Sequence, residues 1–273
     1  MEVGLLTAPF GRDSIETITS FAAGAGFAAL EVCATPGCAH WDAAAPEKWA
    51  AAAAAAGLRV SSLATYVNIS DADPTKRAEN QAIVRAAVRA AEQAGTDVVC
   101  CMAGLPPAGM TREATMQEIS GPFYRELSQE AADLGVKLAL ENWTATCIMN
   151  LAQWDLIFEL VPADNFGLNF DPSHLVWQDI DYLMAVERYA KRIFHTHAKD
   201  TEMLAHKRAF VGNQVGGWWR YVIPGYGEID WGVYVGRLRH NGYDGVLSIE
   251  HEDGAVGREA GFVQGLRHLQ QWC

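Results

Sequence analysis

Eight short apolar runs recur along the chain, each separated from the next by a longer segment of helical character. They are VGLLTA (3–8), FAALEVC (27–33), LRVSSLATY (58–66), DVVCCMA (97–103), VKLALEN (136–142), FGLNFD (166–171), RIFHTHA (192–198) and GVLSIEH (245–251). Apolar runs of this length, separated by longer helix-like segments, read as buried strands. The segments between them read as helices over 14–25, 46–56, 75–94, 112–134, 150–161, 179–190 and 230–241, with one more at 257–271. Ser14 and Glu16 mark one helix start, and Pro46 opens an alanine-rich helix. Ile83, Val84, Ala87, Val88 and Ala91 trace one helical face. Gly26, Gly57, Gly95, Gly135 and Gly242 stand between helix and strand, where a left-handed residue ends a helix.

Eight strand–helix alternations predict an α/β fold, a closed (β/α)8 TIM barrel built as a single domain over 1–273. An open doubly wound sheet is the rival, but the first strand is not followed by a GxGxxG turn. The 273 residues suit one barrel, and with half of them hydrophobic the core can be large. No linker or break in composition divides the chain, and one long irregular stretch, 199–229, follows strand seven. Loops of that length inside a domain usually carry function.

The charge excludes some partners. Twenty-one Lys and Arg against 33 Asp and Glu leave a formal charge of −12. Such a surface repels phosphate backbones and anionic membranes, so neither nucleic acid nor a membrane is expected as partner. The opening MEVGLLTAPF has no basic region followed by a long apolar stretch, and the tract Ala50–Ala56 is too short to span a bilayer. Six cysteines form no CxxC pair, and most sit in apolar runs, which suits the reducing cytoplasm.

The strand ends carry the chemistry. Strand five ends at Glu141 and strand six at Asp171, with His174 just beyond; strand seven carries His195 and His197, and strand eight ends at Glu250. In a barrel these ends converge on one mouth, where barrel enzymes act. Unpaired buried charge is costly, so core packing does not account for them. Two Glu, one Asp and one or two His in one place make a site for a single divalent metal ion. Oxygen-rich ligation with one imidazole suits Mn²⁺ first, with Mg²⁺, Co²⁺, Fe²⁺ or Zn²⁺ as alternatives. His195 and His197 share a strand face, one as ligand and one as hydrogen-bonding neighbour. Glu31, at the end of strand two, could reach the mouth but is read as a structural ion pair.

The segments LALEN, NFDPSH, HTHAKD, PGYGEIDW and GVLSIEHED resemble those of the xylose isomerase-like TIM-barrel superfamily, the sugar phosphate isomerase/epimerase group. The resemblance covers most of the chain and is strongest from 136 to 253. It implies that Glu141, Asp171, His197 and Glu250 bind the metal, and that His174 contacts substrate. It implies an isomerase or epimerase of a keto-sugar or polyol, in which Glu141 and Glu250 move a proton next to a carbonyl through an enediolate. The same enediolate serves dehydratases and 3-keto-glycoside lyases of the group. The endonuclease IV branch needs additional histidines on earlier strands, where this chain has SSLATYVN and VVCCMAG. Keto-sugar 3-epimerases carry an Arg six residues after the ligand His, where this chain has Met203, with Arg208 and Arg220 as substitutes in the long loop.

That loop contains GGWWRY (216–221). Trp218, Trp219 and Arg220 are expected to bind a carbohydrate substrate, the rings stacking on its C–H face, or else to form the interface of a homo-oligomer. In PGYGEIDW, Asp230 is expected to cap the following helix and Trp231 to pack inside. Lys199 and His195 are expected behind the metal ligands, as is Asp200.

Overall fold

Each apolar run of the sequence forms one strand of a closed parallel barrel in the computed structural model, which describes residues 1–273. The barrel strands are β1 (Glu2–Leu6), β2 (Ala29–Cys33), β3 (Arg59–Thr65), β4 (Val98–Met102), β5 (Lys137–Glu141), β6 (Phe166–Phe170), β7 (Ile193–Ala198) and, last in the chain, β10 (Val246–Ile249). They pair in the order β1-β10-β7-β6-β5-β4-β3-β2, so β10 closes the ring against β1 with Val3 opposite Leu247. Parallel neighbours need crossovers, and the helices supply them. These are α1 (Ile15–Ala25), α2 (Glu47–Ala55), α3 (Pro74–Ala90), α4 (Arg112–Thr115), α5 (Gly121–Asp133), α6 (Leu151–Leu160), a short α7 (Ser173–Val176) and α8 (Tyr182–Tyr189), then α10 (Trp231–His240) and α11 (Arg258–Leu269). A π-helical turn, Met116–Ser120, joins α4 to α5.

Local chemistry sets the helix boundaries. Ser14 caps α1 by accepting from the Thr17 amide, and Asn150 with Gln153 forms a capping box on α6. Gly26 ends α1 at φ +96°, and the other four glycines expected at helix ends also have positive φ. One large apolar cluster fills the layer between strands and helices, including Trp154, Phe166, Tyr124 and Phe262. Burying a side chain of this size contributes about 2–3 kcal/mol. A smaller cluster of Leu6, Ala64, Val98, Cys100 and Ala139 packs separately from it. No helix is long and apolar enough to cross a membrane.

The stretch 199–229 is not irregular, contrary to the sequence expectation. It folds as an antiparallel ribbon, β8 (Asp200–Met203) against β9 (Trp219–Val222), with α9 (Ala205–Val211) between them. Asp200 holds its base. Its Oδ1 accepts from the amides of Thr201 and Ile229 (2.8 and 3.1 Å), and its Oδ2 from Gly225 N and Trp231 Nε1 (3.0 and 2.9 Å). Asp200 therefore organises the PGYGEIDW turn rather than standing behind metal ligands. Asp230 caps α10 and Trp231 is buried, as the motif suggested.

Candidate metal centre

The ends of β5, β6, β7 and β10 are neighbours in the barrel, and each delivers one polar side chain to the same point. One ligand atom from each of Glu141, Asp171, His197 and Glu250 lies within 4.8 Å of the others. His197 Nδ1 is 3.4 Å from Glu141 Oε1, 4.0 Å from Asp171 Oδ2 and 3.2 Å from Glu250 Oε2. Backbone devices aim the carboxylates. Asn142 exchanges two hydrogen bonds with the Asp171 main chain (2.7 and 2.8 Å), locking the end of β5 to that of β6. The Ser173 amide donates to Asp171 Oδ1 at 2.8 Å, which leaves Oδ2 facing inward.

Two of the four converging atoms, Asp171 Oδ2 and His197 Nδ1, are buried without a hydrogen-bond partner. Lys199 Nζ stands 3.2 Å from Asp171 Oδ2, a charge contact without hydrogen-bond alignment. Buried polar atoms are rarely left unpaired, and a cation at their centre would satisfy both. Three carboxylates and one imidazole are a donor set for a hard or borderline divalent ion, so these residues fit one.

The imidazole of His197 is oriented from below by Glu31. Glu31 is fully buried, and its carboxylate lies 3.1 and 3.3 Å from His197 Nε2. Tyr66 also donates to Glu31, at 2.8 Å, and Asn169 Nδ2 donates to the Tyr66 hydroxyl at 3.0 Å. With Nε2 facing that carboxylate and the Tyr66 hydroxyl (3.0 Å), Nδ1 points to the cluster. Burial works against charge on Glu31, but His197 and His195 outweigh it and hold its carboxyl at about 2. Burial also works against the imidazolium of His197, and Glu31 and Glu250 outweigh that, keeping its proton well above the ordinary range. Glu31 is thus an ion-pair partner, as read from the sequence, but its partner is a residue of the cluster. A charged residue in the middle of the buried strand β2, not at its end as the sequence suggested, was the available signal.

His195 lies apart from the four. Its Nδ1 is 3.0 Å from Asn169 Oδ1 and its Nε2 is 3.2 Å from Ser61 Oγ. Burial lowers its pKa to about 4. Glu31, Cys100 and His195 form a second group of convergent donors. There, however, the carboxylate and imidazole already have protein partners, which distinguishes this group from the first.

Lys199 is buried among the acids. Its Nζ is 2.6 Å from Glu250 Oε2, 3.3 Å from Glu252 Oε2 and 3.4 Å from His174 Nε2. Burial disfavours its charge, but Glu250 and Asp171 more than offset this and hold it well above the usual lysine range. His174 Nε2 is 3.4 Å from both Glu141 Oε1 and Asp171 Oδ2. Its Nδ1 is 2.7 Å from the hydroxyl of Tyr221, which also accepts from Trp177 Nε1 at 3.3 Å.

A cavity of ≈ 420 Å³ opens over the cluster and is lined by Glu141, Glu250, Lys199, Tyr66, Asn68 and Trp143, among others. Trp218, Trp219 and Arg220 do not line it. Trp218 is buried beneath the Arg208 guanidinium, Trp219 stacks on Trp177 at 4.0 Å, and Arg220 is paired with Glu202 and Asp253. Arg208 pairs with Asp179. The aromatic wall is instead Trp143, two residues past Glu141, a position that the strand end itself could have flagged.

A family model described as xylose isomerase-like TIM barrel matches residues 20–272. The chain belongs to that family. The chain is 30% identical over 168 residues to the Bacillus subtilis (strain 168) protein YfiH, a match covering 57% of this chain and 53% of that one. It is 29% identical over 133 residues to an inosose dehydratase of Clostridium perfringens, covering 46% and 44%. The chain thus spans about half the length of these relatives. Among solved structures, an IolI protein with a bound zinc atom superposes with a TM-score of 0.78 at 18% identity, over 100% of this chain and 99% of that one. The 3-keto-D-glucoside 4-epimerase YcjR from E. coli superposes with a TM-score of 0.77 at 18% identity, over 99% of both chains. At such identity, these two establish the shared fold.

Proposed function

We propose that this family member is a divalent-metal-dependent enzyme that isomerises or epimerises a keto-sugar or polyol by moving a proton next to a carbonyl. The observation that carries the reading is the pair of buried, unpartnered atoms, Asp171 Oδ2 and His197 Nδ1, at the centre of three carboxylates beneath an open cavity. Glu141, Asp171, His197 and Glu250 would hold one ion, Mn²⁺ by preference for an oxygen-rich set; the zinc of the IolI neighbour also supports a divalent ion. Such an ion would supply Lewis-acid stabilisation of negative charge on substrate oxygens. Glu141 and Glu250, on separate strands and both open to the cavity, take and return the proton. Lys199 holds Glu250 in place and balances acid charge around it. His174, fixed by Tyr221, directs Nε2 toward Glu141 and Asp171 and serves as the neighbouring proton carrier. Trp143 offers an apolar face to the C–H side of a sugar. The only lysine or arginine among the cavity residues is Lys199, already shared by three carboxylates, so an uncharged substrate fits better than a phosphorylated one.

A second outcome of the same proton abstraction is loss of a β-hydroxyl or a glycoside, as in a dehydratase or 3-keto-glycoside lyase. The similarity to inosose dehydratases supports it. A panel of keto-sugars and inososes incubated in D₂O with Mn²⁺ tests both. Solvent deuterium in a product of unchanged composition means isomerisation or epimerisation, and loss of water means dehydration. If neither deuterium exchange nor elimination occurs with any keto-polyol, the proposal falls. Glu250→Gln should abolish the exchange in either case.

A further inference from the structure

The loop that leaves β2 holds a cluster which the proposed reaction does not use. Cys33 ends β2, and Cys38 follows after a turn closed by the Cys38 amide donating to the Thr35 carbonyl at 3.0 Å. The Thr35 hydroxyl engages both sulfurs, lying 3.4 Å from Cys33 Sγ and 3.9 Å from Cys38 Sγ. His40 is buried, with Nε2 3.2 Å from Thr7 Oγ1 and its carbonyl accepting from Trp49 Nε1. Its Nδ1 has no hydrogen-bond partner, and Cys38 stands two residues before it in the chain. The Cys33 amide is pinned to Thr7 Oγ1 at 2.8 Å. Cys38 itself is 8% exposed but stands between exposed Gly37 and Ala39, a single layer from solvent.

We propose that Cys33 and Cys38 form a peroxide-oxidisable dithiol, with Cys38 as the attacking sulfur and Cys33 as the resolving one. Three features distinguish this pair from a passive pair of small apolar residues. A shared hydroxyl engages both sulfurs, a buried imidazole nitrogen without other employment stands two residues from one of them, and the turn confines the closed ring to a few residues. The neighbouring Cys33 thiol, then the His40 ring, lower the pKa of Cys38, while the Cys38 thiol and burial raise that of Cys33. The unpartnered His40 Nδ1, two residues on, offers Cys38 a base, and its place between exposed Gly37 and Ala39 puts it nearer solvent, so Cys38 is the sulfur that attacks peroxide as thiolate.

The chemistry balances with hydrogen peroxide as the two-electron oxidant. The Cys38 thiolate attacks one peroxide oxygen, an S–O bond forms, the O–O bond breaks, and the departing hydroxide takes a proton to become water. The Cys33 sulfur, losing its proton, then attacks Cys38 Sγ; an S–S bond forms and the S–O bond breaks, releasing the second water. Two thiols and one peroxide give one disulfide and two waters. A thiol reductant reverses the modification.

The test uses the whole chain, treated with a few equivalents of hydrogen peroxide, then alkylated in denaturant and mapped without reduction. The expected result is a Cys33–Cys38 disulfide, reversed by dithiothreitol and formed about tenfold or more faster than exposed Cys273 is oxidised. Cys33→Ser should accumulate a dimedone-trapped sulfenic acid on Cys38, and Cys38→Ser should leave Cys33 unmodified; both exchanges are small and keep the shape of the site. Oxidation of Cys273 ahead of the pair overturns the proposal. So does dimedone labelling of Cys33→Ser that is no greater at Cys38 than at buried Cys100.

Discussion

Replacing Glu31 by Gln tests whether this carboxylate positions His197 for metal binding. The carboxylate and His197 are both fully buried, 3.1 Å apart at their nearest atoms. A hydrogen bond to a charged group is worth about 1.5–3 kcal/mol, and the Gln amide oxygen would recover about 0.5–1.5 kcal/mol of it. The difference, together with the lost negative charge near a dication, corresponds to about a 10- to 100-fold weaker intrinsic affinity, the range typical of such supporting partners. A competing effect acts at neutral pH. Glu31 also stabilises the imidazolium proton that a metal must expel from Nδ1, so its removal makes that proton easier to displace. A doubly charged ion gains about twice what a proton gains from the same charge at the same distance, so the loss wins. The apparent defect is therefore expected to be about fivefold at pH 7 and to grow toward the full value as pH rises. Calorimetric titration with Mn²⁺ at several pH values reads it directly, with circular dichroism as the control for folding. An affinity unchanged within about twofold at every pH would show that Glu31 does not position the ligand.

The same linkage gives a pH sign for the natural chain. Glu31 and Glu250 strengthen the hold of His197 on its proton, so metal binding should release a proton and weaken as pH falls, by up to about tenfold per unit. Titration in buffers of different ionisation enthalpy measures the release. A metal present at about 100 times its Kd should add about 2.7 kcal/mol of stability, so chelation should lower Tm by about 5 °C or more. Asp200→Asn would turn an amide toward N–H groups that now donate to a carboxylate. It should cost about 2–4 kcal/mol in denaturant titrations and loosen the β8–β9 ribbon, which proteolysis would reveal. Trp143→Ala should raise KM about tenfold with little effect on kcat, whereas Trp219→Ala, outside the cavity, should leave KM unchanged. Gly167→Ala would drive a methyl group into the Arg192 carbonyl and the Phe194 ring, and should lower Tm sharply without changing metal affinity.

The sequence by itself determined the alternation of strands and helices, because each apolar run is bounded by caps and turn residues whose effects are local. It also singled out the four strand-end side chains, since charge at the end of a buried strand has few structural uses and barrel closure brings such ends together. Tertiary structure alone decided what surrounds them. The role of Glu31 depends on β2 lying across the barrel interior from β7, a juxtaposition of residues far apart in the chain. The adjacent tryptophans of the long loop carry the composition of a sugar platform, yet β8 and β9 pair so that Trp219 stacks on Trp177 and Trp218 turns inward. Asp200 was drawn toward the metal by its nearness to His197 in sequence, but the ribbon directs it at four N–H groups instead. Sequence separation predicts neither outcome, because packing across the barrel chooses which of several adjacent polar or aromatic groups faces the cavity.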